Sequence, residues 1–263
     1  MNRFDELLDA FAHTFYGYGN YKGAYWFIGM EEGGGSFQDV EKRLFVWDRH
    51  GRPELEDLAL FHNEIGYGHF FEKQPNLPKT PKLQPTWNKL IRILLSAEGR
   101  LLSDKEDEAR TERVREYQRI SLARALGQNC LIELLPLPSR STKPKDWMYA
   151  EHSALGYCAD REVYKAYFMP LRAKHIKERI AQYRPQVVVF YGIGVEYSYW
   201  WKQIADTPFS NDMAYSISIA ARESSLFVIV KHPVTKGITN AYFHDIGQMI
   251  AYERAKLLDS GKL

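Results

Sequence analysis

The sequence predicts an α/β fold, a three-layer α/β/α arrangement around a central, mainly parallel four-stranded sheet. Two observations point there. Four short runs are almost continuous in apolar residues: "AYWFIG" (24–29), "CLIELL" (130–135), "QVVVFYG" (186–192) and "LFVIVKHP" (226–233). Strands covered on both faces read this way, whereas half-exposed strands alternate. Segments of helical period separate the runs, and such alternation builds a parallel sheet with right-handed crossovers.

Taken in order, "MNRFDELLDAFAHTFY" places Phe4, Leu7, Leu8, Phe11 and Phe15 on one side of an amphipathic helix, and its acids make it a poor signal peptide. The first strand runs into "GMEEGGGSF". Residues 50–85 hold His62, His69 and four prolines (Pro75, Pro78, Pro81, Pro85), and are expected to form a long irregular insertion. A helix follows over 86–97, with Trp87, Leu90, Ile91, Leu94 and Leu95 on its apolar side. Residues 98–119 are rich in charge and suit a solvated helix. After the second strand comes a helical stretch over 160–183, where Pro170 is expected to kink or divide it. The third strand leads into "GIGVEYSYWW", and "HDIGQMIAYERAKLL" (244–258) closes the fold.

A chain of 263 residues suits one domain, here taken as 1–263, and can bury a substantial core. With 45% hydrophobic and 14% aromatic residues the composition is globular. The formal net charge of +2 permits a basic face without requiring one. Cys130 and Cys158 are too few for a disulfide framework, a four-cysteine iron–sulfur cluster or a zinc ribbon. A monomer in a reducing cytoplasm, with no cofactor, metal or membrane partner, is the expectation. No apolar run reaches the roughly 20 residues of a membrane span.

In an open parallel sheet, ligands bind beyond the carboxyl ends of the strands. Glu31 follows the first strand, Glu133 lies in the second and His232 ends the fourth. Gly192 and Gly194 form half of a dinucleotide fingerprint; without a third glycine and a later acid, close helix–strand packing is the preferred reading.

Three motifs carry a resemblance. "IGMEEGGGSF" (28–37), "CLIELLPLPSRS" (130–141) and "VKHPVTKGITNAYF" (230–243), with "PQVVVFYGIGV" (185–195) between, resemble the uracil-DNA glycosylase superfamily, closest to its single-strand-selective monofunctional branch. The resemblance implies a DNA partner and a pocket that receives an everted base. Glu31 stands at the water-activating position, where most relatives carry Asp or Asn. His232 stands where the family's histidine stabilises the departing base. Gly29, Met30, Gly33 and Gly34 stand along the base pocket. Gly33 replaces the aromatic wall that excludes 5-substituted pyrimidines in the strictest relatives. Phe45 lies near the spacing of the aromatic that stacks on the base, with Phe37 and Trp47 as competitors. Glu133 stands where the family's Asn reads uracil. Arg140 and Lys143, with Lys236, Ile238 and Tyr242 in the His-Pro loop, are the expected DNA contacts.

The residues also speak chemically. Hydrolysis of an N-glycosidic bond passes through a cationic sugar, so it needs negative charge, a placed water and relief of charge on the base. Glu31 suits the first two tasks; it equally suits a cap for the following helix. Glu32 is expected to face solvent or to raise the pKa of its neighbour. An ionised Glu133 offers acceptors only, which disfavours uracil O4; a protonated Glu133 could give its proton to cytosine N3. Asn129 is the substitute reader if the register differs. With Gly33 open, these departures suggest a 5-modified cytosine, such as the hydroxymethylated or glucosylated base of some phage DNA, and a defence role. Uracil excision in repair and a catalytically inactive sensor are the alternatives, with a metal-using phosphate-ester hydrolase behind them. No lysine occupies a nucleophile position, so the expected chemistry uses water.

Overall fold

A computed structural model describes residues 2–73, 80–101, 108–212 and 216–259. The chain forms helix α1 (Arg3–Thr14), strands β1 (Gly17–Gly19) and β2 (Tyr25–Gly33), α2 (Phe37–Arg49), β3 (Leu55–Glu56), α3 (Leu58–Ile65), α4 (Pro85–Ala97) and α5 (Glu108–Ile120). Then come β4 (Asn129–Ser139), the short α6 (Tyr149–His152), α7 (Arg161–Tyr183), β5 (Val187–Tyr191), α8 (Val195–Ala205), β6 (Ser210–Asp212), β7 (Ile217–Arg222), β8 (Ser225–Val230) and α9 (Asn240–Asp259).

The strands make one eight-stranded mixed sheet in the order β3-β1-β4-β2-β5-β8-β7-β6. Its middle is the expected parallel quartet: β4 pairs with β2, β2 with β5 and β5 with β8, all parallel. The expectation of four strands is corrected by two flanks. β1 joins β4 antiparallel and carries β3, and β7 joins β8 antiparallel and carries β6. The central strands are buried throughout their apolar runs; every residue of Val187–Tyr191 and Ser225–Val230 is buried. That two-sided burial is why they read as continuous apolar segments.

Two local expectations are also corrected. The 50–85 segment is not wholly irregular. Helix α3 begins at Asp57, whose carboxylate accepts from the N–H groups of Ala59 and Leu60, and it ends at Gly66 in the left-handed conformation. These are an ordinary cap and stop. Pro75 and Pro78 lie outside the described residues, as does 102–107 of the charged segment. Pro170 sits inside an unbroken α7. Both Pro170 and Ala166, whose carbonyl loses its helical partner, are exposed, so water can satisfy that carbonyl. Cys130 and Cys158 are buried and not disulfide-bonded. Among the described residues no helix is long and apolar enough to cross a membrane.

Candidate active site

The carboxyl ends of β2, β4, β5 and β8 open on a cavity of about 620 Å³ lined by Met30, Glu31, Glu32, Gly33, Glu133, Arg140, Tyr191 and His232, among others. That volume suits a small organic ligand. The three chemically central expectations, Glu31, Glu133 and His232, share this one cavity.

β4 supplies its floor. Arg172 in α7 is buried and donates to the carbonyls of Glu133 at 2.8 Å and Leu134 at 3.0 Å, with its guanidinium 3.8 Å from the ring centre of Tyr16. This fixes the strand beneath the carboxyl of Glu133. Tyr191, the last residue of β5, donates its hydroxyl to Glu133 Oε1 at 2.8 Å. Oε2 is buried without a partner among the described residues. Burial pushes this carboxyl up to about 8, against the hydrogen bond from Tyr191 and with help from the charges of Glu32 and Glu31. Near neutral pH Glu133 is therefore chiefly an uncharged acid, with a donor and acceptors. Gly29 lies opposite Glu133 in the β2–β4 register. A Cβ there would stand 2.3 Å from both Glu133 Oε2 and the Tyr191 hydroxyl. Gly29 thus makes room for the pair and does not itself line the cavity.

Glu31 is not a free carboxylate. Both of its oxygens are taken by Arg161: Nη1 reaches Oε1 at 3.2 Å and Nη2 reaches Oε2 more closely. Arg161 also touches Ser139 Oγ at 3.3 Å and stands over the ring of Trp147. Burial outweighs the arginine and leaves the Glu31 carboxyl above its ordinary range. The helix-cap reading of Glu31 is excluded, because Ser36 caps α2. Glu32 does not face solvent as expected. Arg43 Nη1 donates to its Oε1 at 2.8 Å, Tyr18 donates to Oε2 at 2.8 Å, and His62 Nε2 lies 3.6 Å from Oε1. Burial opposes its ionisation, but Arg43, His62 and Tyr18 prevail and hold it down to about 2.

His232 is half-buried, and burial lowers its pKa. Its Nδ1 faces the N–H of Val234 at 3.4 Å, so Nδ1 accepts and the proton of the neutral ring sits on Nε2. Its ring centre is 5.7 Å from that of Tyr191.

The three glycines after Glu32 divide their work. A Cβ on Gly33 would meet nothing within 4 Å, which leaves that side of the cavity open. On Gly34 it would lie 2.5 Å from Pro138 Cβ, and on Gly35 2.1 Å from Asp39 Oδ2. Gly34 and Gly35 serve packing, which corrects the placement of Gly34 in the pocket. Met30 lines the cavity and lies against Gly192, whose own Cβ would fall 2.9 Å from Met30 Sδ. Close packing, not a dinucleotide, accounts for that glycine.

Several expected residues lie elsewhere. Phe45 is 61% exposed beside Arg49, Trp47 is fully buried against Phe11, and Phe37 stacks on His152; none lines the cavity. Of the aromatics that do, Tyr67, Phe70 and Trp87 come from the supposed insertion and the helix after it, and Tyr18 and Tyr191 from β1 and β5. Asn129 is wholly buried and bonded to Ala123 N and Tyr117 OH, so it reads nothing. Arg140 lines the rim, and Lys143 and Lys236 are exposed. Ile238 and Tyr242 are partly buried and pack against the core, outside the cavity lining, and the Tyr242 hydroxyl accepts from the Lys231 N–H at 3.3 Å. Val234 is exposed and lines the cavity.

Arg161, Arg43, Tyr18, His62 and Tyr191 were not singled out from the sequence. Only Tyr191 carried a signal, as the last residue of an apolar strand. Among the described residues no group of three or more His, Cys, Asp or Glu side chains is arranged to hold a metal ion. No protein-family model matches the chain, and no curated protein matches it.

Proposed function

We propose that the protein is a monofunctional DNA glycosylase that takes an everted pyrimidine into this cavity and hydrolyses its N-glycosidic bond, with a 5-substituted cytosine as the preferred base. The observation that carries this reading is Glu133: a buried carboxyl, neutral near pH 7, with an unpartnered oxygen, in the same cavity as the Nε2–H of His232. A neutral acid donates to cytosine N3 and can transfer its proton there as the ring departs. His232 Nε2–H meets charge developing on the base oxygen. The paired carboxylates of Glu31 and Glu32 supply negative potential near the cationic sugar. Gly33 leaves room for a substituent at C5. Arg140 and Ser141 line both this cavity and a neighbouring cleft, which gives the flanking strand a continuous path. Removing a base from the stack costs a few kcal/mol, and the exposed Val234 can fill the gap.

One observation favours a second reading, a binding protein without turnover: Arg161 already occupies both oxygens of Glu31. One experiment separates the two. Duplex and single-stranded DNA carrying uracil, cytosine, 5-hydroxymethylcytosine or glucosylated hydroxymethylcytosine is incubated with the protein, and free base is measured by mass spectrometry. Release of a 5-modified cytosine supports the glycosylase; binding to modified DNA with no release supports the sensor; release of uracil alone overturns the cytosine preference.

A further inference from the structure

The cavity has two flanks of different chemistry. The groups that would hold the base, Glu133, Tyr191 and His232, come from β4, β5 and the loop after β8. The sheet order puts β1 on the other side of β4, and that flank carries a separate wall. Tyr67, Phe70 and Trp87 form it, with Gln84 and Thr86 beside them. The ring of His62 ties the wall to the sheet. Its centre lies 5.1 Å from that of Tyr18 in β1 and 5.2 Å from that of Trp87. Phe70 meets Trp87 edge-on, with ring centres 5.5 Å apart. None of these wall residues lies in the motifs that carry the family resemblance. The volume of about 620 Å³ is that of a site for a drug-sized molecule, so a pyrimidine ring leaves much of it unfilled.

The wall also has spare donors. Trp26, Trp47, Trp147 and Trp201 each give their indole N–H to a backbone carbonyl. Half-buried Trp87 gives its own to no group among the described residues, although an indole out of water usually finds an acceptor. Gln84 Oε1 accepts from the Trp87 N–H of the main chain at 2.7 Å, at the start of α4. Its amide NH₂ has no partner among the described residues. Flat apolar rings with hydrogen-bond donors at their edges suit a hexose, whose C–H face lies on an aromatic ring while its hydroxyls bond at the rim.

We infer that this wall is a hexose subsite, which takes the sugar of a glycosylated 5-hydroxymethyl group on the everted cytosine. Trp87 is its stacking platform, and the Trp87 indole N–H and the Gln84 amide are its donors. This rests on the modified-cytosine reading of the cavity and names the substituent. Gly33, which leaves the C5 side open, follows Glu32, and the Glu32 carboxylate lies 3.6 Å from His62, whose ring touches Trp87. A substituent passing Gly33 therefore has the aromatic wall on its way. A hydroxymethyl group alone adds one carbon and one oxygen, too little to cover the wall, so the wall selects for the glycosylated base.

The test uses the unaltered protein, W87L and W87F. Affinity is measured for oligonucleotides whose target nucleotide is cytosine, 5-hydroxymethylcytosine or glucosylated hydroxymethylcytosine, with a 2′-fluorine that slows cleavage; base release is measured separately from the unfluorinated forms. The unaltered protein is expected to bind the glucosylated form at least about 10-fold more tightly than the hydroxymethylated one. W87L is expected to abolish that ratio while its affinity for the hydroxymethylated form stays within about threefold. W87F keeps a ring and loses the N–H, and is expected to give an intermediate ratio. Absence of a glucosyl preference in the unaltered protein overturns the inference. So does a W87L protein that keeps the preference. If W87L weakens all three forms alike, W87F decides: a reduced ratio supports the subsite, and an unchanged ratio overturns it in favour of a platform for any base. Base release without a glucosyl preference overturns the subsite and leaves the glycosylase reading standing. A Trp87-dependent preference with no release from any form supports the subsite and overturns turnover.

Discussion

The hydroxyl of Tyr191 donates to Oε1 of Glu133 at 2.8 Å, while Oε2 is buried against Gly29 with no partner among the described residues. A carboxyl so placed prefers its proton, and this preference has consequences for stability as well as for binding.

Glu133 is raised to about 8 in the folded protein and titrates near 4.5 when exposed. Between these values the folded state holds a proton that the unfolded state has lost. Stability therefore falls as pH rises from about 4.5 to about 8, then levels off, by an amount on the order of 4–5 kcal/mol. E133Q keeps a neutral group and removes this dependence. Denaturant unfolding of both proteins from pH 5 to pH 9 checks it: the mutant is expected to gain on the unaltered protein as pH rises. Parallel curves contradict the assignment.

Glu31 and Arg161 behave as a buried pair, with side chains 7% and 1% exposed. R161M leaves a buried carboxylate uncompensated and is expected to cost about 3–5 kcal/mol. Adding E31Q removes the orphaned charge and is expected to recover much of that loss. A double-mutant cycle on unfolding free energies reads the coupling; additive losses would mean that the two groups do not hold each other.

Gly33 and Gly34 are adjacent but differ in what surrounds them. G33A adds a methyl into open space and is expected to change stability by less than about 0.5 kcal/mol. G34A drives a methyl into Pro138 and is expected to cost about 1–3 kcal/mol. G33F narrows the open side, so release of a 5-substituted base should fall much more than release of an unsubstituted one. Thermal unfolding and the base-release panel test these expectations.

What the sequence revealed depended on burial. The four parallel strands stood out because both of their faces are covered. β1 did not, because "GYG" reads as a turn: Gly17 and Gly19 have φ of +144° and +103°, and a Cβ on Gly17 would meet the Leu131 carbonyl at 2.0 Å. β3 and β6 are too short to show a period. Helix α3 was hidden by the glycines and prolines that follow it, although Asp57 and Gly66 marked its ends. At the site, Glu31, Glu133 and His232 were legible because each lies in or just past an apolar run. Their partners were not. Arg161 lies 130 residues from Glu31, and His62 reaches Glu32 only because α3 packs on α2 and the histidine ring meets Tyr18 of β1. Phe45 was misplaced because spacing says nothing about which face of α2 a side chain occupies.

The role proposed for Glu133 is to read the everted base as a neutral acid and to surrender its proton to it. The most direct measurement compares kcat/KM for release of a 5-modified cytosine and of uracil by the unaltered protein and by E133Q. Glutamine can donate an N–H but cannot transfer a proton. The unaltered protein is expected to prefer the modified cytosine, and E133Q to lose this release by about 100-fold or more while uracil release holds or rises. An unchanged ratio between the two substrates in E133Q would contradict it.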